Sequence, residues 1–161
     1  MTKNHTISAT AADPTVAAGT AQFLTPVVLG LQALVVNGKQ AHWNVRGTNF
    51  LSIHELLDTV VDHAQAASDE AAERIVALGL PIDARLATIA QKATPSAIGA
   101  GFTQWDETVR DIVADIDVIL VDVQAAIDGL DEIDLTSQDI VIGIKAGLEK
   151  DRWFLSAHLA E

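Results

Sequence analysis

Four residues in one stretch of the chain are of types that bind metal ions and stand at spacings that let them act in pairs. His54 and Asp58 are four residues apart, as are Asp69 and Glu73, so on a helix each pair projects from one side and can grip an ion. The chain has no cysteine, and any metal would have to be held by His, Asp, Glu and water. One chain cannot close such a site alone. Asp58 and Asp69 are eleven residues apart, roughly 16 Å along a helix at 1.5 Å per residue, far beyond metal–ligand distances near 2 Å. Two copies of the helix lying antiparallel across a two-fold axis would bring His54 and Asp58 of one subunit to Asp69 and Glu73 of the other, and would do so twice. The middle of that arrangement falls near His63, where Ala64, Ala66 and Ala67 would allow a close approach. The Glu-x-x-His pairs of an in-bundle di-iron site are missing, because the residues three before each histidine are Thr2, Lys39, Leu51, Val60 and Leu155. Spacing alone leaves a second reading open, a solvated acidic face with incidental histidines.

The elements that must carry these residues are helical. Ile53, Leu57, Val60, Ala64, Ala67, Ala71, Ile75 and Leu78 form a heptad-like stripe that ends at Gly79-Leu80-Pro81, and the metal-binding types are displaced from it on a second face. Before it, Leu24, Val28, Leu31 and Val35 recur at three- and four-residue steps, and the row continues through Gly38 to His42, which predicts His42 on the packed side. Pro26 marks either a kink or the first turn of this helix, and Gly47 ends its extension. A short helix is expected over residues 83–90, then a breaker-rich stretch with Pro95, Gly99 and Gly101. Trp105, Val109, Ile112, Ile116, Ile119, Val123, Ile127 and Leu130 outline a third long helix, closed by Gly129 and the acidic turn over residues 131–134. Thr136 and Asp139 read as the cap of a fourth, running through Ile140, Ile144, Leu148 and Trp153-Phe154 towards Leu159. Four long helices with one long crossover have the ferritin-like outline, an all-α bundle with a short extra helix in the crossover. The 161 residues suit a single domain, with residues 1 to about 15 a mobile polar tail.

Twenty-two Asp and Glu against ten Lys and Arg leave a formal charge of -12, while 49% of the residues are hydrophobic. The first figure argues against a basic nucleic-acid binder and the second against an acidic disordered chain. The N-terminus lacks the basic end and apolar run of a secretory leader, and the most apolar stretch, residues 23–36, is interrupted by Thr25, Pro26, Gly30 and Gln32 and falls short of a membrane span. A soluble, cytoplasmic protein without membrane attachment is expected.

His42-Trp43-Asn44, Arg46-Gly47, Phe50, His54, Asp58, Asp69, Ala72-Glu73-Arg74 and Leu78-Gly79, with Leu148-Glu149-Lys150, Trp153-Phe154 and Ala157-His158-Leu159 towards the C-terminus, resemble the signature of the Dps proteins, the mini-ferritins. The His-x11-His-x3-Asp-x10-Asp-x3-Glu spacing is specific, and the match spreads over most of the chain. The resemblance implies a hollow dodecamer of tetrahedral symmetry. Its ferroxidase centres at two-fold interfaces would oxidise Fe(II), preferentially with hydrogen peroxide although oxygen also serves, and its cavity would store Fe(III) mineral. His42, His54 and Asp58 would come from one subunit and Asp69 and Glu73 from its neighbour, the two-chain arrangement that the spacing also requires.

Other residues take roles from the same resemblance. Trp43, beside His42, either intercepts stray oxidising equivalents or packs. Arg74 would neutralise carboxylates at the interface. Asp131, Asp134 and Asp139 lie where a three-fold pore would concentrate cations, though caps and solvation account for them equally. Asp111, Asp115 and Asp122 share another helical face, to nucleate mineral or to face solvent. The lysine-rich extensions by which many family members bind DNA have no counterpart in a tail that offers only Lys3 and His5, so little or no DNA binding is expected. The alternative function is a metal-dependent hydrolase of amides or esters, using metal-bound water, although no HExxH or GxSxG motif supports it.

Overall fold

The computed structural model describes residues 13–160. Asp13 opens the first helix, α1 (Pro14–Asn44), by accepting a hydrogen bond from the Thr15 amide at 2.7 Å, with Pro14 in the first turn, an N-terminal arrangement that suits both residue types. The helix therefore starts ten residues before the apolar row that announces it in the sequence, and Pro26 lies inside it rather than in its first turn. Residues 14 and 15 belong to this helix and not to a tail. The rest of the stretch expected to be mobile, residues 1–12, lies outside the described residues.

A tight reversal follows. The two-residue strand β1 (Val45–Arg46) leads into Gly47, whose φ of +115° lies in the left-handed region that glycine adopts without strain. A Cβ there would also stand 2.8 Å from Gln104 and Trp105. The chain then returns as α2 (Phe50–Ala77), antiparallel to α1. Close packing of the two helices depends on Gly38, where a Cβ would meet Val61 Cγ2 at 2.7 Å. The far end of α2 is closed as the sequence predicts: Gly79 has φ +92°, its amide reaches the Val76 carbonyl, and the Leu80 amide reaches that of Ile75, the paired bonds of a Schellman cap.

The crossover holds α3 (Leu86–Lys92), three residues later than expected at its start. Asp83 is used before the helix begins, accepting from the Arg85 side chain and from the Thr88 hydroxyl. The strand β2 (Thr103–Gln104) pairs in parallel with β1, a contact too short to leave a period in the sequence, and Arg46 stacks on the Phe102 ring. The third long helix, α4 (Trp105–Leu130), runs through Gly129 instead of ending there. Gly129 is small because the Phe23 ring of α1 fills the place of a side chain. After the turn, α5 (Leu135–Ala157) starts with Asp134 at its N-cap position, ahead of the expected Thr136.

The four long helices enclose one apolar core, with Leu24, Leu31, Ile53, Leu57, Ile112, Ile116, Val141 and Leu155 among its buried members. Helix α1 is the one described helix long and apolar enough to cross a membrane. Its Leu24, Val27, Val28, Leu31 and Leu34 are instead buried in this core, against α2 and α4.

Candidate metal centre

The hairpin at Gly47 sets the last turn of α1 against the first turn of α2, so His42 and His54 meet. Their rings stack with centroids 3.6 Å apart and planes 22° from parallel. Each Nδ1 lies on the other residue's main-chain carbonyl, His42 Nδ1 at 2.8 Å from the His54 oxygen and His54 Nδ1 at 2.9 Å from the His42 oxygen. A carbonyl oxygen only accepts, so both Nδ1 atoms carry a hydrogen and, in the neutral rings, both Nε2 atoms carry a lone pair. A hydrogen bond from the other ring nitrogen is what fixes tautomer and ring direction in metal-binding histidines. As predicted, His42 lies on the packed side of its helix and is buried, while His54 is partly exposed.

Asp58 adds a carboxylate one turn beyond His54. Its Oδ1 is 3.2 Å from His42 Nδ1 and accepts a hydrogen bond from Lys39 Nζ at 2.6 Å. That bond is the main reason the Asp58 carboxyl is held below the ordinary carboxylate range; desolvation opposes it, and the nearby His42, Lys39 and His54 charges add to it. Lys39 is the functional neighbour that a search for metal ligands passes over. It stands one turn before His42 on the same side of α1, and that spacing was its signal. Phe50 packs its ring 5.1 Å from that of His54. Trp43 is 64% exposed, outside the chain's own core, with the Lys39 ammonium 5.9 Å from its ring.

Asp69 and Glu73 are exposed further along α2, beside a shallow groove of about 410 Å³ that Ala66, Ala77 and Ile140 also line. The structure does not bring them to the histidines. Among the described residues of a single chain, no three His, Cys, Asp or Glu side chains are placed to hold a metal ion. Of the alanines expected to admit a neighbouring helix, Ala64 is buried in the chain's own core and unavailable, whereas Ala66 is exposed.

Arg74 lines the same groove as Asp69 and Glu73 and is paired within the chain. Its Nη2 donates to Asp134 at 2.7 Å and its Nε to the Ser137 hydroxyl at 2.9 Å, tying α2 to the start of α5. Burial pushes the Asp134 carboxyl up, but the bonds from Ser137 and Arg74 outweigh it and hold the group below its ordinary value. Of the three carboxylates expected around a pore, Asp134 is thus engaged within the chain, while Asp131 and Asp139 are exposed.

A family model described as a ferritin-like domain matches residues 29–161. The chain is 32% identical to the DNA protection during starvation protein of Agrobacterium fabrum, over 76% of each chain. The chain belongs to the Dps family of ferritin-like proteins. It is 37% identical to the protein of the same name from Mycolicibacterium smegmatis, over 75% of this chain and 66% of that one, slightly under two thirds of the relative's length. Among solved structures, Dps from Microbacterium arborescens in its high iron form is 71% identical and superposes with a TM-score of 0.91, covering 93% of this chain and 98% of that one. Mycobacterium smegmatis Dps, at 28% identity, gives 0.88 over 94% and 93%. Membership supports iron storage and protection as the function at the level of the Dps family.

Proposed function

We propose that this chain is the subunit of a hollow, cytoplasmic homododecamer that oxidises Fe(II) at inter-subunit centres, stores the Fe(III) product as mineral and so limits oxidative damage. The observation that carries this reading is the reciprocal imidazole–carbonyl clamp. It engages both Nδ1 atoms and leaves two Nε2 lone pairs free on fixed rings, which with the nearby Asp58 carboxylate offer mixed nitrogen and oxygen donors suited to ferrous iron. In this reading His42, His54 and Asp58 supply ligands from one subunit, and the partner subunit's Asp69 and the partner subunit's Glu73 supply the rest of the set. Lys39 keeps Asp58 ionised and in place before iron arrives. Hydrogen peroxide is the favoured oxidant over oxygen. Two ferrous ions each give one electron, the O–O bond accepts both, and with two protons the products are two Fe(III) and two water molecules, without hydroxyl radical. Trp43, exposed next to His42, is placed to intercept an oxidising equivalent that escapes.

The surplus of acid draws cations in and, repeated over the assembly, repels duplex DNA. Asp131 and Asp139, the exposed members of the turn region, would contribute to a cation entry path, and DNA binding is weak or absent at neutral pH and moderate salt. In stopped-flow mixing after anaerobic addition of Fe(II), peroxide should oxidise the iron faster than oxygen does. His54→Ala combined with Asp58→Ala should slow the peroxide phase by about a hundredfold, the upper range for disturbing a metal site. An unchanged rate in that variant would end the ferroxidase assignment.

A further inference from the structure

The cleft between α1 and α4 is separate from the histidine clamp and takes no part in the chemistry above. It encloses about 260 Å³, room for a small molecule and little more. Pro26, Leu29, Val118 and Ile119 give it an apolar lining, and two carboxylates, Asp115 and Asp122, stand on its α4 wall. Close approach of the walls depends on Gly30, where a Cβ would press on Ile119 at 3.1 Å. Both carboxylates are partly buried, and burial is the main influence pushing both carboxyls up. Asp115 receives one hydrogen bond, from Ser96 at 2.6 Å, and among the described residues no donor reaches Asp122. On the opposite wall Pro26 has no N–H for the Gln22 carbonyl, which loses its usual helical donor. The α4 wall of the cleft therefore presents two carboxylates with an apolar strip between them, and Gln22, Thr25, Asn37 and Thr94 are among the polar residues that also line it.

The spacing selects among cations. Asp115 and Asp122 are seven residues apart on one helix, roughly 10.5 Å at 1.5 Å per residue, with Val118 and Ile119 between them. A single metal ion cannot reach both carboxylates at bonding distances of about 2.0–2.6 Å. A linear molecule with an ammonium group at each end and methylenes between them matches the order carboxylate, apolar strip, carboxylate. We infer that this cleft binds a small aliphatic diamine in its dicationic form, with one ammonium on Asp115, the other on Asp122, and the methylene stem along Leu29, Val118 and Ile119. Lys92, exposed at the rim, is a competing cation, and its removal should tighten binding.

Calorimetric titration of the assembled, iron-free protein with putrescine, cadaverine and the monocation n-butylamine tests this. One diamine should bind per chain, and n-butylamine at least about tenfold more weakly, a difference of about 1.4 kcal/mol. Asp122→Asn, which breaks no bond within the described chain, should weaken diamine binding by a similar factor while Fe(II) oxidation stays unchanged, and Lys92→Gln should strengthen it. Asp128→Asn, on the same helix but outside the cleft, is the control. Equal losses from Asp122→Asn and Asp128→Asn would reveal a diffuse acidic field instead of a site. Equal affinity for n-butylamine, or no binding at millimolar diamine because a neighbouring subunit covers the cleft, would also overturn the inference.

Discussion

The two ends of α2 carry the same kind of pair, four residues apart, and the structure treats them differently. At the N-terminal end His54 and Asp58 are held from several sides: the His42 carbonyl fixes one imidazole, Lys39 fixes the carboxylate, and Phe50 packs against the ring. At the other end Asp69 and Glu73 stand exposed over a shallow groove, and the fixed group nearby is Arg74, which reaches away to α5. Preorganisation of a metal site needs supporting groups around each ligand. The histidine end has them within the chain; in the proposed inter-subunit centre, the carboxylate end would take its order from what docks against it.

The sharpest way to break this comparison is to separate the halves. Chains carrying His54→Ala with Asp58→Ala and chains carrying Asp69→Ala with Glu73→Ala should each be nearly inactive when assembled alone. Reassembled together in equal amounts they should regain about a quarter of the wild-type oxidation rate, because half the two-fold dimers are mixed and each mixed dimer rebuilds one of its two sites. No recovery, in mixtures whose co-assembly is verified by native mass spectrometry, would place both halves in one chain. Arg74→Ala tests the ion-pair anchor near the carboxylate end. It removes the guanidinium donor from the partly buried Asp134 and the buried Ser137 and should cost about 2–3 kcal/mol in denaturant unfolding, with the initial oxidation rate little changed.

The pH dependence of that anchor has a definite sign. Asp134 is held below its ordinary value in the folded chain, so its contribution is fully present above the unfolded carboxylate range and is lost as pH falls through the folded value. The stability difference between wild type and Arg74→Ala should therefore narrow on acidification below about pH 4. Gly47→Ala should have the smallest effect of these, about 1–2 kcal/mol from an unfavourable backbone conformation and contact with Gln104 and Trp105. It should act selectively on the clamp, with broadened imidazole NMR signals for His42 and His54 and none for resonances at the far end of α2.

Much of the fold was legible because long amphipathic helices write their buried face at a fixed period. The stripes from Ile53 to Leu78 and from Trp105 to Leu130 correspond to α2 and α4, and Gly79 ends α2 as its type suggests. The start of α1 was missed because Ala17 and Thr20, both buried, are too small or too polar to extend an apolar row. Gly129 was misread as a stop because its cause, the Phe23 ring, lies far away in sequence. The two-residue strands left no signal at all. In the candidate site, ligand types and spacing identified the two halves, but Lys39 escaped because a cation is not sought among metal ligands.

What the sequence determined by itself was periodicity and offset: four helices, a histidine on a packed face, and two pairs too far apart along one helix to share an ion. Those follow from the 1.5 Å rise and the 100° turn of the helix, which any residue obeys locally. Only the tertiary structure decided which groups meet across helices. The crossed imidazole–carbonyl bonds, the Lys39–Asp58 pair, the Arg74–Asp134 pair and the cleft between α1 and α4 each depend on how closely two helices approach. That distance is set by side chains such as Gly38 and Gly30, whose partners, Val61 and Ile119, lie far along the chain.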